Sequence, residues 1–265
     1  MLKVLKILIA ASCLTLSLAF AFQEIPATGK ADSKVNVVVI DAGHGGHDIG
    51  TRGRKAREAN VALKIALALG RKIKEGSPEV RVLYTRDTDE FIELAERSAF
   101  ANRNNADLFI SIHCNSTPNS RSVRGTETYV MGLHKTNGNL EVAKRENSVI
   151  LKETNYKQKY KGFDPDSPLA HIMLANYQSA FISSSLRFAD NVEKKFKSVS
   201  DRDSRGVKQA GFLVLWRTTM PSVLIETGFL STPEEEDYLN SEDGQDEVAE
   251  SIHQAFKVYK RQMDQ

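Results

Sequence analysis

The stretch Val37-Val-Val-Ile-Asp-Ala-Gly-His-Gly-Gly-His-Asp-Ile-Gly50 sets a run of β-branched residues against a turn holding two histidines, two aspartates and four glycines. The run reads as a buried strand, and the turn closes it at the edge of a sheet. Such a turn can hold a metal, cradle a phosphate or simply reverse the chain. A phosphate cradle needs Gly-x-Gly-x-x-Gly or a P-loop Lys-Ser/Thr, and Gly43-His-Gly-Gly-His47 has neither spacing, so it is the weaker reading of the glycines.

Outward from this stretch the pattern alternates. Val35 to Asp41 is a strand, and Glu58 to Ile73 is a helix with Val61, Ala62, Ile65, Leu69 and Ile73 on one face. Val80 to Thr85 is a second strand, Phe91 to Asn104 a second helix, and Leu108 to His113 a third strand. Gly125 to Met131, Phe212 to Leu215 and Val223 to Glu226 are further strand candidates, and Asp246 to Arg261 is a closing helix. Strands alternating with helices predict a single α/β domain: a mostly parallel, twisted six-stranded sheet with helices on both faces. Ligands of such sheets bind beyond the carboxyl ends of the strands. Residues 132–207, rich in Lys, Glu, Asn and Ser, interrupt the alternation and read as a helical insertion.

Residues 1–21 read as an export signal, with Lys3 and Lys6 before an apolar stretch that ends in Ala19-Phe-Ala21, and 22–34 as a linker. The folded unit is then 35–265, and the expected location is a periplasm. The apolar run is shorter than the ~20 residues a spanning helix needs, so no stable membrane span is expected after cleavage. Loss of Lys3 and Lys6 leaves 34 basic against 34 acidic residues. That balance removes the simplest argument for nucleic acid or an anionic membrane as partner. Cys13 leaves with the signal, so Cys114 has no disulfide partner, and strand alternation points it away from His113.

Parallel strands point their carboxyl ends one way, so His44 after strand one and His113 at the end of strand three converge on one edge. Glu58 sits in the first turn of the helix between them, where the helix dipole favours a carboxylate. Two imidazoles and one carboxylate form the His2Glu set of a catalytic zinc site, with the fourth position open. Glu226 stands at another strand end, free to serve as general base and then acid. Taken singly each has a plainer reading: a turn residue, a satisfied histidine, a helix-start acid, a solvated strand-end acid. Asp41 either caps the turn or orients a zinc-bound imidazole. Asn115, on the strand face of His113, is a substrate-binding candidate. Trp216 and Arg217, which follow the fifth strand candidate near the same sheet edge, are candidates for ligand contact, and His47 for the cleft wall. His134, His171 and His253 read as ordinary residues.

Asp41-Ala-Gly-His-Gly-Gly, Glu58 at a helix start, Ser111-Ile-His-Cys-Asn115 and Ile225-Glu-Thr-Gly-Phe-Leu230 together resemble the motif set of zinc-dependent N-acetylmuramoyl-L-alanine amidases, the cell-wall amidases of bacterial division. Tyr84-Thr-Arg-Asp87, Leu94-Ala-Glu-Arg97, Ala101-Asn102 and Ala106-Asp107 agree in order. The resemblance covers Val37 to about Met131 and Gly206 to Tyr259. It implies that His44, Glu58 and His113 bind Zn2+, that Glu226 is catalytic, and that peptidoglycan is cut between N-acetylmuramic acid and L-alanine, freeing stem peptides. Members that need an activator protein carry a helical insertion over the zinc cleft. Residues 132–207 match it in position, so Glu141 or Glu146 is expected to fill the open zinc position. The apolar pattern Ile172, Met173, Ala175, Ile182 and Leu186 either packs the segment down or offers a partner surface. The alternatives are a constitutive lid, a zinc peptidase acting within the stem peptide, and a non-catalytic wall-binding regulator. A metallocarboxypeptidase would want His-x-x-Glu, whereas His44 and Glu58 lie fourteen residues apart.

Overall fold

The computed structural model describes residues 34–118, 120–176 and 180–264. The signal expected at 1–21 and nearly all of the linker at 22–34 lie outside the described residues. Six strands, β1 (Val37–Ala42), β2 (Arg81–Tyr84), β3 (Leu108–Asn115), β4 (Thr126–Met131), β5 (Ser204–Ala210) and β6 (Ser222–Phe229), form one sheet in the order β2-β1-β3-β6-β4-β5. Every neighbouring pair is parallel except β6 with β4, so β4 and β5 run against the other four. The mostly parallel sheet of the expected α/β fold is therefore present, with one antiparallel seam.

Alternation along the strands builds two cores. Val38 and Ile40 face the layer made by α1 (Glu58–Gly76), α6 (Ile182–Ser200) and α8 (Glu242–Met263), whereas Val39 faces the opposite side. On the first face Ile65 and Leu69 of α1, Phe188, Val192 and Phe196 of α6, and Ile252 and Phe256 of α8 are all fully buried. Each such side chain contributes about 1.5–3 kcal/mol relative to exposure. The other face is covered by α2 (Leu94–Arg103), by part of the segment between β4 and β5, and by the 3₁₀ turn Leu213–Leu215. That segment also holds α3 (Asn137–Asn147), a 3₁₀ turn (Ser148–Lys152), α4 (Tyr156–Lys159) and α5 (Pro168–Ala175). The remaining helix, α7 (Pro233–Leu239), follows β6.

Two sequence expectations are corrected. Phe212 to Leu215 is not a strand: Asn147 reaches across to bond both Gly211 O (2.8 Å) and the Leu213 N–H (2.8 Å), and the buried apolar run winds into a 3₁₀ turn. The fifth strand is β5, which the insertion reading had absorbed. The boundaries 132–207 are accordingly too wide, because α6 and β5 belong to the core and the sheet. Only α3 through α5 lie over the carboxyl edge of the central strands as an added segment.

Candidate metal centre

The turn after β1 is made by residues few side chains tolerate. His44 itself has φ 60°, a left-handed conformation uncommon outside glycine, and Gly45 and Gly46 continue it at φ 126° and 58°. Gly43 is needed for space: a Cβ there would stand 2.5 Å from the His113 ring. Two fully buried arginines fasten this turn by its carbonyls. Arg86 donates to Ala42 O (2.9 Å) and Gly43 O (2.7 Å), and Arg97 to Ala42 O (2.7 Å) and His44 O (2.8 Å). Both lie in the motif text quoted above, yet nothing in their spacing announced this bracing role.

The turn delivers His44 beside Glu58, at the start of α1, and His113, in β3. His44 Nε2 lies 3.1 Å from Glu58 Oε2, and His113 Nδ1 lies 3.1 Å from Glu58 Oε1. Backbone N–H groups of Thr51 (2.7 Å) and Cys114 (2.9 Å) fix the two Glu58 oxygens. The fourth member is Glu146 of α3, whose Oε2 is 3.2 Å from His44 Nε2 and 3.1 Å from His113 Nδ1. Glu141, the other acid proposed for this place, is exposed and pairs with Lys144 at 3.2 Å.

One donor atom from each of the four residues falls within 4.8 Å of the others, and all four residues are buried. Ligands on a tetrahedral zinc with bonds of ~2.0–2.2 Å stand roughly 3.4 Å apart, close to these contacts. His44 Nε2 and Glu146 Oε2 are buried without hydrogen-bonding geometry to any partner. Two imidazole nitrogens and two carboxylates aimed at one point suit a divalent metal better than they suit one another.

The charges agree. Burial alone would lower the His44 pKa, but Glu58, Asp48 and Glu146 hold it well above the ordinary 6.5. Against the same burial, Glu146 and Glu58 bring His113 up to about 9. Although burial opposes it, Arg145 and His113 keep Glu146 well below the carboxylate range.

Orientation of His44 corrects a further expectation. Asp41 touches neither imidazole: it accepts from Thr85 Oγ1 (2.6 Å), Ser111 Oγ (2.6 Å) and Arg97 Nη1 (2.8 Å), a buried brace beneath the site. The imidazole is held instead by Asp48, whose Oδ2 accepts from His44 Nδ1 at 2.7 Å and so leaves Nε2 free to face the centre. The spacing His44-x-x-x-Asp48 within the opening stretch carried that signal. His47 is exposed and stacks on Phe91 at 4.1 Å between ring centroids. Trp216 lines a different hollow with Phe163 and Met173, and Arg217 stacks on its ring at 3.9 Å. Cys114 is buried in the core, as its strand phase requires.

Glu226 pairs in register with His113 across β3 and β6, which puts both on the same sheet edge. Burial pushes its pKa well above the ordinary value; Arg145 opposes this, and Glu146 and Glu58 add to it. A carboxyl that holds a proton more readily than a free one suits a proton shuttle. Arg145 of α3 lies on it, Nη2 to Glu226 Oε1 at 3.2 Å, and also donates to Asn115 Oδ1 (3.1 Å). Lys152 reaches Asp48 Oδ1 at 2.6 Å. Free space around His44, Asp48, His113 and Glu146 amounts to about 10 Å³. That is no more than one water occupies, and far below what a peptide requires.

A family model described as N-acetylmuramoyl-L-alanine amidase matches residues 38–257. Among curated relatives, the chain is 36% identical to the N-acetylmuramoyl-L-alanine amidase AmiC of Escherichia coli O6:H1, over 89% of this chain and 56% of that protein. It is 33% identical to AmiA of E. coli K12, over 97% of this chain and 90% of that protein. The chain thus spans about half the length of one relative and nearly all of the other. Among solved structures it is similar to an N-acetylmuramoyl-L-alanine amidase from Clostridium difficile 630, with a TM-score of 0.63, 28% identity, and coverage of 86% of this chain and 97% of that one.

Proposed function

The chain belongs to the N-acetylmuramoyl-L-alanine amidase family, and on that premise we propose that it is a peptidoglycan hydrolase that cuts the amide between N-acetylmuramic acid and L-alanine and releases stem peptides during cell-wall remodelling and daughter-cell separation. The observation that carries this reading is the buried His44, Glu58, His113 and Glu146 set with Glu226 in register beside it. His44 Nε2, His113 Nδ1 and the Glu58 carboxylate would hold a Zn2+ ion here as its lasting ligands. Bound there, it supplies a Lewis acid for the scissile carbonyl and a water whose pKa is lowered from ~15.7 toward ~7. Glu226 accepts the water's proton on its carboxylate and returns it to the alanine nitrogen as the amide breaks. Asp48 keeps His44 in the ligating tautomer, and Asn115, whose Nδ2 donates to Glu127 in this conformation, is the candidate substrate contact beside His113.

The described conformation is a closed one in this reading. Glu146 would occupy a metal's remaining position, Arg145 covers Glu226, and Lys152 reaches Asp48, so α3 and its 3₁₀ extension would act as an autoinhibitory lid. A partner protein lifts it. Leu169, Ile172 and Met173 of α5 are exposed apolar residues on this segment and offer the contact. The catalytic unit is 35–265, exported behind a signal at 1–21 and a linker at 22–34, and working in a periplasm. Among the described residues no helix is long and apolar enough to cross a membrane.

Elemental analysis of the purified chain and mass spectrometry of products from isolated peptidoglycan test the reading together. About one zinc per chain and free peptides with an L-alanine amine are expected. Shortened stems still attached to glycan would replace it with a peptidase.

A further inference from the structure

Beyond Glu226 the same transverse row of the sheet continues. Glu226 faces Glu127 across the antiparallel seam, and Glu127 Oε1 receives both Arg205 Nε (2.7 Å) and Lys208 Nζ (2.5 Å) from β5. Residues three apart on a regular strand point to opposite faces, so these two cations should not meet. They meet because β5 carries an extra residue: Thr126 pairs with Ser204 but Thr128 with Val207, and Gly206 sits at φ 84°. A bulge of this kind re-aims a side chain, and bulges concentrate beside functional sites.

The cluster has more positive charge than it uses. Glu127 is saturated, with its second oxygen accepting from Tyr129 Oη (2.7 Å) and Asn115 Nδ2 (3.1 Å). One carboxylate therefore faces two cations. Among the described residues Arg205 donates hydrogen bonds only through Nε, its guanidinium lies over the Phe229 ring at 5.3 Å, and its side chain is 42% exposed, so its terminal N–H groups are open to an acceptor. Arg205 and Lys208 line a groove of about 620 Å³ that runs between β4, β5 and α3 to Asn115 and Arg145, next to Glu226. Glu141 on the α3 wall is already engaged by Lys144.

We propose that the Arg205–Lys208 pair, brought together by the bulge at Gly206, is a carboxylate-binding subsite that takes a free carboxylate of the stem peptide. Glu226 and β5 are two strand spacings apart, roughly 10 Å, and an extended peptide advances ~3.4 Å per residue. The subsite therefore meets a carboxylate on the second or third residue after the scissile amide. A guanidinium edge beside an ammonium gives two-point, charge-assisted recognition of such a group. The inference rests on the amidase reading for the source of its ligand.

Calorimetric titration of the full chain with synthetic L-Ala-γ-D-Glu-L-Lys, and with the same peptide amidated at both carboxyl groups, tests the subsite without hydrolysis. The acid form should bind about tenfold more tightly than the amide, and Arg205→Gln or Lys208→Gln should each bring the ratio down several-fold. Each variant leaves Glu127 one cation, which keeps the buried carboxylate paired. Glu127→Gln should strengthen binding of the acid, an effect that a purely structural role for the cluster does not predict. Equal binding of the two forms, or a preference undiminished in both cation variants, overturns the subsite. Failure to release stem peptides from peptidoglycan would instead overturn the amidase reading, while the binding ratio would still be measured.

Discussion

Asp48 is separated from the candidate metal centre by the His44 imidazole, and its contribution can be separated from that of the ligands. Asp48→Asn keeps the shape but offers an amide that can donate to Nδ1, so the imidazole loses the partner that fixes its tautomer. Zinc affinity or turnover should fall by about 10–100-fold, the usual cost of losing such a partner, with the fold unchanged by circular dichroism. An unchanged zinc affinity would return the orienting role to another group. Glu146 behaves oppositely. Glu146→Ala removes the carboxylate from the fourth position, and peptidoglycan hydrolysis should rise about tenfold, the effect of a shift of about 1.4 kcal/mol in the closed-to-open balance. Glu141→Ala, a change on the groove side of the same helix and away from the centre, should not reproduce that rise. No rise with Glu146→Ala would make the segment a constitutive wall of the cleft. Much of this level was legible in the sequence, because strand ends and a helix start fix where His44, Glu58, His113 and Glu226 emerge. Arg145 was not legible: an arginine in a polar helix carries no mark of the carboxylate it will cover.

At the scale of elements, the loop before α1 decides where Glu58 stands, and α7 holds that loop from outside. Glu236, buried in α7, accepts from the N–H groups of Lys55 (2.5 Å) and Ala56 (2.8 Å) and from Arg54 Nε (3.0 Å). Burial would raise its pKa, but these donors bring it down to about 2 from the ordinary 4.5. A carboxylate depressed in the folded state stabilises fully above its unfolded value, and that stabilisation is lost as pH falls through the folded one. Glu236→Gln should therefore cost about 1–3 kcal/mol in urea unfolding at pH 7. The difference from the parent should shrink between pH 4.5 and 2. A difference constant over that window would remove the carboxylate's charge from the account. The elements the sequence misplaced have physical reasons. β5 is an edge strand, Ser-Arg-Gly-Val-Lys-Gln-Ala, mostly polar and broken by its bulge, so it shows no alternation. Leu213–Leu215 looks like a strand because it is apolar, but its backbone bonds are set by Asn147, 66 residues away from Leu213. Distant side chains of this kind leave no local signature.

For the whole molecule, composition and alternation were enough for the α/β class, while the antiparallel seam was not, since strand direction depends on a pairing partner that periodicity does not name. The parallel pairing of β4 with β5 has a topological result. Two parallel neighbours require the chain to travel back along the sheet between them. The segment carrying α3, α4 and α5 is built into that return, with α6 as its fixed far end. The proposed lid is thus tied at both ends to the scaffold and cannot diffuse away when lifted. Its local concentration over the candidate metal centre would stay on the order of millimolar, as for any short intramolecular connection. An activator that merely dislodged it would gain a moment's activity, because recapture is unimolecular. On that proposal a partner would have to stay bound for as long as cutting continued, and its departure alone would silence the enzyme, with no separate inhibitor and no proteolysis needed to reset it.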